Sequence, residues 1–394
     1  MKPLQLHKYG GTSVATESKM KNIAQRIQNG IKKYQYVIVL SAMGSRTDEL
    51  LTEAMQKKID TQQEIDAWIT QGENESTKLF QQILASMDIK SAVMTALDIP
   101  IRTNGHFGQA LIESINPQTI VQQLQKVDVV IVPGFQGVYQ GLITTLGRGG
   151  SDLTAVALSA GLGLECCEIY TDVPGVMTTD PKIDSNARVI DRISYDEMID
   201  FADAGAKVLQ ARCVVLAKRY QLNITVRSSF EKSLGTIVGK ETQMENMIVS
   251  GIALDRAQVY TSMQYSPQIH AQIMQGLPGV CSRILQMKNS SETASIVFLT
   301  NLCDFLKLQN WQSEMQSDAI FEQHRVAAVT IIGVGLMLQK EIFLAAHNVL
   351  NQNGIDMIGS WFADGRICLL VPESKGEETV RALHAFYGLE KEPN

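Results

Sequence analysis

Four short segments carry residues whose types and spacing suit the handling of anions. Lys8-Tyr9-Gly10-Gly11-Thr12-Ser13 sets a lysine just ahead of a glycine pair. Glycines let backbone N–H groups approach an anion, a helix N-terminus that follows favours negative charge, and lysine adds a mobile point charge suited to phosphate. A plain glycine turn with an exposed lysine reads the same residues equally well. Thr145-Leu146-Gly147-Arg148-Gly149-Gly150-Ser151-Asp152 is more informative. Its glycines expose N–H donors, Arg148 offers a planar fork for a carboxylate, and Ser151 or Asp152 can cap a helix beginning at Leu153. An acid among so many anion binders makes sense as the residue that orients Lys8 or another donor. Thr171-Asp172-Val173-Pro174-Gly175-Val176-Met177-Thr178-Thr179-Asp180-Pro181-Lys182 is a long turn-rich loop. Ser41-Ala42-Met43-Gly44 and Thr47-Asp48-Glu49 supply hydroxyls and a small-residue turn. Neither G-x-x-x-x-G-K-[ST] nor a G-x-G-x-x-G after a leading strand is present.

These segments need strand ends to position them, and the chain offers such ends. Over roughly the first 240 residues, short β-rich runs alternate with helical patterns. The strand candidates are Leu4–His7, Tyr36–Leu40, Val127–Val132, Cys167–Tyr170 and Ile224–Arg227. Helical patterns fall at 19–32, 49–59, 76–87, 117–124, 153–162, 195–203 and 208–220. Such alternation predicts a mostly parallel sheet with helices on both faces, and ligands in these folds bind at the carboxyl ends of the strands. Three of the segments directly follow a strand candidate, and 145–152 ends where a helix pattern begins. Gly239–Asn246 reads as a polar linker, and two smaller βαβ-like blocks follow at about 247–318 and 325–394.

Composition bounds the function. The chain has 394 residues, 45% hydrophobic and 19% charged, ordinary for a folded globular protein of two or three domains. A net charge of −6 argues against non-specific nucleic-acid binding. The six cysteines form no C-x-x-C pair, so no zinc site is expected and the thiols read as core residues of a reducing compartment. The apolar run Val326–Leu338 is broken by Thr330, Gly333 and Gly335 and is short of a membrane span. With no apolar signal segment in MKPLQLHKYGG, the expected location is cytoplasmic. The six histidines are scattered, and only His106 lies near a motif.

The motifs together resemble one family. KYGGTS, SAMG with TDEL, GFQG at 134–137, TLGRGGSD, YTDVPG with TTDPK, and GAKVL at 205–209 occur in the order seen in aspartate kinases. The resemblance covers residues 4–240, and the remainder resembles, more faintly, that family's paired ACT regulatory domains. It implies an α/β fold: a three-layer αβα amino-acid kinase sandwich over 1–240, then α+β ACT-like domains. It also implies an enzyme that uses ATP and Mg²⁺ to phosphorylate the side-chain carboxylate of L-aspartate, the step that opens lysine, threonine and methionine synthesis. By match, Lys8, Gly10 and Gly11 would hold the transferring phosphate and Asp152 would position Lys8. Ser41, Thr47, Glu73, Phe107, Arg148, Gly149 and Ser151 would form the aspartate site, with Arg148 on the α-carboxylate and Glu73 facing the α-ammonium or organising that region. Thr171, Asp172, Met177, Lys182 and Lys207 would line the nucleotide site. The family often has Tyr at Met177 and Arg at Lys182, so altered nucleotide binding is expected. A carboxylate nucleophile is ionised at neutral pH, so the chemistry asks for positioning and charge stabilisation rather than a general base. A kinase of another small carboxylate and a non-catalytic homologue stay open; the departures in Asp98–Phe107 bear on the first, and the intact Lys8, Arg148 and Asp152 argue against the second. The ACT-like region is expected to join copies into a homodimer or a higher homo-oligomer.

The regulated relatives carry an Asp and a Pro-Gly turn after the opening strand of the first ACT block. Tyr260–Gln268 has neither, and Gly333–Lys340 in the second block is more apolar than its counterparts. Lysine and threonine are therefore expected to inhibit weakly or not at all. Isothermal titration of each amino acid, alone and together, checks this: micromolar binding coupled to loss of activity would overturn it.

Overall fold

The computed structural model describes residues 2–206, 208–240, 249–290, 293–315, 319–363 and 365–391. The chain forms two compact units. The first comprises 1–176, 189–202 and 207–243, and the second 177–188, 203–206 and 244–394.

In chain order, the first unit has strands β1 (Leu4–Tyr9), β2 (Gln35–Leu40), β3 (Ser91–Val93), β4 (Arg102–Thr103), β5 (Ile112–Ser114), β6 (Val129–Pro133), β7 (Gln136–Tyr139), β8 (Leu142–Thr145), β9 (Cys166–Thr171), β10 (Arg192–Ser194), β11 (Asn223–Ser228) and β12 (Thr236–Gly239). Eight of them form a sheet in the order β10-β12-β11-β9-β1-β2-β6-β3, and β5-β4-β7-β8 form a smaller one. In the large sheet only β11 and β12 pair antiparallel. The helices are α1 (Glu17–Gly30), α2 (Arg46–Gln56), α3 (Gln62–Ile69), α4 (Gln71–Ala85), α5 (Gln118–Leu124), α6 (Gly150–Gly161), α7 (Tyr195–Asp203) and α8 (Ala211–Tyr220).

Side-chain alternation sorts the sheet into two faces. Tyr9, Ile38, Leu40, Val129 and Ile131 meet Met20, Ile23 and Ile27 of α1 and Phe80, Ile83 and Leu84 of α4. The alternate residues, Leu6, Lys8, Val37 and Val39 among them, face α6, which is buried from Gly150 to Ser159 and packs on α8. Burial on both faces is why the central strands read as unbroken apolar runs such as YVIVL. The expected three-layer α/β sandwich is therefore present, with strand ends shifted by a residue or two.

One boundary matters for chemistry. Helix α6 begins at Gly150, and its N-cap is Gly149 at φ 71°, ψ 14°. The expectation of a start at Leu153 capped by Ser151 or Asp152 is thus corrected: both lie within the first turn. Gly149 can cap because it tolerates the left-handed conformation. A Cβ there would also collide with the Gln210 side chain.

The second unit has strands β13 (Gly251–Tyr265), β14 (Arg283–Asn289), β15 (Ala294–Asn301), β16 (Ala319–Ile332), β17 (Gly359–Ala363) and β18 (Arg366–Pro372), and helices α9 (His270–Gly276), α10 (Phe305–Glu314), α11 (Lys340–Gln352) and α12 (Gly376–Phe386). The strands form one antiparallel sheet, β14-β15-β13-β16-β18-β17. It covers two cores. Met263, Ile273, Phe298, Leu308 and Trp311 fill one. Ile252, Val329, Ile331, Leu350, Leu369 and Leu383 fill the other. β13 runs for 15 residues and serves both, with a bulge between Asp255 and Gln258. Residues 249 and 252 therefore pack with the later block, which differs from the expected division at 247–318 and 325–394. A strand that long has no internal turn signal to mark where one core yields to the next. Most of the expected linker, 241–246, lies outside the described residues. Among the described residues, no helix is long and apolar enough to cross a membrane.

Candidate active site

The first anion-handling segment sits where β1 ends. Gly10 N–H donates to the Tyr170 carbonyl of β9 at 3.2 Å, and Gly44 N–H donates to the Gly11 carbonyl at 3.0 Å. A Cβ on Gly11 would lie 3.0 Å from the Ala42 carbonyl oxygen, so the loop closes on the end of β2 only because the residue has no side chain. Strand alternation aims Lys8 at α6. There its Nζ lies 2.5 Å from Asp152 Oδ1 in the helix's first turn. The two residues are 9% and 8% exposed.

A cavity of about 630 Å³ opens beside this pair, walled by Lys8 and Gly11, by Ser41 and Thr47, by Glu73, and by 147–152. Glu73, on α4, is 3% exposed. Its Oε1 accepts the Ala42 N–H at 3.3 Å, and its Oε2 is buried without a hydrogen-bond partner. Burial pushes its carboxyl up to about 8. Such an acid is completed by a cation. On another wall Arg148 is exposed. Among the described residues it makes no hydrogen bond or ion pair, which leaves its fork open to a ligand.

Two residues that carry no motif hold these walls in place. Asp66 of α3 is fully buried; its Oδ2 accepts the N–H groups of Gly108 at 2.8 Å and Thr145 at 2.7 Å. Arg212 of α8 donates to the carbonyls of Leu146 at 2.6 Å and Ala110 at 3.1 Å. Acid and base thus pin the strand end of the turn that carries Arg148 to the loop at 108–110.

The sequence matches the model of the amino acid kinase family over residues 3–228. An aspartokinase of Helicobacter pylori strain J99 is 36% identical across 98% of this chain and 100% of its own length. One from Geobacillus stearothermophilus is also 36% identical, with 98% of each chain covered. The chain belongs to the aspartokinase family. Its fold agrees with that of E. coli aspartokinase III in complex with aspartate and ADP, at a TM-score of 0.79 and 24% identity over 98% of this chain and 99% of that one.

Within this family member, the structure brings together most of the aspartate-side set. Lys8, Gly11, Ser41, Thr47, Glu73, Arg148, Gly149, Ser151 and Asp152 all border the cavity. Phe107 is not among its lining residues, although its neighbour Gly108 is. Gly10 does not line the cavity; it gives its N–H to the Tyr170 carbonyl. Thr171 and Asp172 lie at the end of β9 and its exit, in the first unit, whereas Met177 and Lys182 belong to the second. Lys207 lies outside the described residues. His106 is exposed and pairs with Asn104. Asp66 and Arg212 went unread because each binds backbone groups, with Thr145 79 positions and Leu146 66 positions away.

Glu73 generates a pH prediction. Its carboxyl is held near 8, so its ionised fraction grows as pH rises from 6 to 8. A ligand ammonium needs the ionised form. The kcat/KM for an ammonium-bearing substrate should therefore climb through that window, and Glu73→Gln should flatten the climb. A wild-type profile that is flat from pH 6 to 8 would sink the assignment.

Proposed function

We propose that this cavity is where the chain carries out the reaction of its family, ATP-dependent phosphorylation of the L-aspartate side chain. One side-chain carboxylate oxygen attacks the γ-phosphorus, the bond to the bridging oxygen of ADP breaks, and 4-phospho-L-aspartate and ADP leave. No proton has to move to make the nucleophile. The cost lies in bringing two anions together.

Lys8 bears that cost at the reacting centre. Asp152 holds its ammonium, Gly10 and Gly11 keep the approach clear, and the first-turn N–H groups of α6 add positive potential. Arg148 grips the α-carboxylate with two parallel hydrogen bonds. Glu73 takes the α-ammonium, and Ser41, Thr47, Gly149 and Ser151 complete the aspartate pocket with Phe107 at its edge. Thr171, Asp172, Met177 and Lys182 are assigned to the nucleotide side. The donor set suits a Mg²⁺ that arrives on the nucleotide: of the three carboxylates on the cavity wall, Asp152 is committed to Lys8 and Glu73 is assigned to the α-ammonium, leaving Asp48 as a side-chain oxygen for it. That ion would supply charge neutralisation on the phosphates. The observation that carries the reading is the sequence of charges around one cavity: paired Lys8, orphaned Glu73 oxygen, open Arg148 fork. It complements in sign an amino acid bearing a second carboxylate.

We also propose that two copies pair through the second unit. Leu344 and Phe362 there are 59% and 45% exposed and line an apolar hollow of about 250 Å³.

Lys8→Ala should lower kcat by on the order of 10²–10³ while the protein stays folded. An ATP-dependent hydroxamate assay with aspartate and hydroxylamine measures it; near-normal turnover in a folded variant would overturn the mechanism. Arg148→Lys should raise the aspartate KM by the equivalent of about 1.5–3 kcal/mol, because lysine lacks the fork. A rise confined to the ATP KM would move Arg148 to the phosphate side.

A further inference from the structure

The segment 177–188 leaves and rejoins the first unit through a short neck. Ile190 N–H donates to the Val176 carbonyl at 2.8 Å within the first unit, and Thr178 N–H donates to the Arg188 carbonyl at 2.9 Å within the second. The segment between is bound to α12 and the residues that follow it. Arg188 Nε donates to the Leu389 carbonyl at 3.1 Å, and Arg381 donates to the Ile183 carbonyl at 3.3 Å.

At the centre of this attachment lies a buried chain of side chains. Thr178 Oγ1 is 2.9 Å from His384 Nε2, and His384 Nδ1 is 3.0 Å from Asp184 Oδ2. Thr178, Asp184 and His384 are 0%, 7% and 0% exposed. Thr178 Oγ1 accepts the Arg188 N–H at 3.2 Å, which leaves its own proton available to Nε2 of a neutral ring. Nδ1–H then goes to Asp184, whose other oxygen takes the Asn186 N–H at 3.0 Å. Burial lowers the His384 pKa, in keeping with a neutral imidazole whose Nδ1 faces Asp184. The order Thr–His–Asp is that of a hydrolytic triad, but a fully buried hydroxyl meets no substrate. Glu390 comes close enough for the three ionisable groups to hold a cation, yet both ring nitrogens are committed to Thr178 and Asp184.

We propose that His384 is a positioning residue for the nucleotide half of the reaction: by joining Thr178 to Asp184, it fixes the shape of the segment that carries Met177 and Lys182. The imidazole staples two points six residues apart, and Lys182 lies between them. This inference rests on reading Met177 and Lys182 as nucleotide residues, and its test separates the two.

Full-length Thr178→Val keeps the side chain's volume and removes its proton. Steady-state kinetics should show the ATP KM rising between about 5-fold and 10²-fold, the range a displaced substrate contact produces, with the aspartate KM unmoved. Thr178→Ser should return the ATP KM to the wild-type value, a rescue that simple loss of packing would not give. His384→Gln, which can still accept from Thr178 but cannot reach Asp184 in the same way, should fall between, and stands in should Thr178→Val not fold. An ATP KM unchanged in folded Thr178→Val, or both KM values rising together, would overturn the inference while Lys182→Ala still raises the ATP KM. If Lys182→Ala leaves the ATP KM unchanged, the nucleotide reading of the segment falls first, and the inference with it.

Discussion

An ammonium that is nine-tenths withdrawn from water is costly unless an anion meets it, and Lys8 is met by Asp152 at 2.5 Å. Several structural constraints converge on that contact. Lys8 must fall on the α6 side of β1, which strand alternation secures once Tyr9 is locked into the opposite core. α6 must start early enough for Asp152 to sit in its first turn, which the left-handed Gly149 permits. The loop after β1 must fold tightly against β2, which Gly11 permits. A single ion pair thereby ties the ends of two elements from distant parts of the sequence. In the proposed mechanism the pair sets where the positive charge stands before the anions arrive, so little reorganisation is needed during transfer.

What the sequence disclosed follows from what each interaction leaves in it. The parallel strands were legible because burial on both faces turns them into apolar runs, as in Tyr36–Leu40. The site motifs were legible because close approach of backbone to an anion demands glycine. The sheet β5-β4-β7-β8 was not legible, since its strands span only two to four residues and hold no period long enough to detect. α3 was overlooked beside the stronger patterns flanking it, although it carries Asp66, whose contacts with Gly108 and Thr145 exist only once the chain has folded. Glu73 could be named from the family's pattern, but its unpartnered oxygen and raised pKa arise from packing alone.

The same division explains the second unit. Its two cores share β13 and β16, so the pattern of two βαβ-like blocks was present in the sequence while the seam between them was not. Nor could sequence order reveal that 177–188 leaves the unit on either side of it. The Thr178–His384 bond joins residues 206 positions apart. Seen along the chain, Thr178 belongs to a glycine- and proline-rich loop and His384 to an ordinary amphipathic helix. Only the fold turns them into one hydrogen-bonded chain.

The carboxylates at the proposed site are given different work by their surroundings. Asp152 meets a lysine, and the pair is settled before any ligand comes. Glu73 Oε1 accepts the Ala42 N–H, and burial disfavours its charge. Its ionisation is thereby coupled to the arrival of a cation from outside. A substrate ammonium both supplies that cation and is held by the charge it restores, so amine binding and carboxyl ionisation strengthen each other. A dicarboxylate of the same shape without the amine would leave Glu73 protonated or stranded as an uncompensated buried charge, and would lose that mutual gain. Under the proposed assignment, the burial of one acid would discriminate for an amino acid, while the exposed fork of Arg148 would serve any carboxylate. Selectivity and anion capture are assigned to different walls of the same cavity, and the difference between them is how far each side chain has been removed from water.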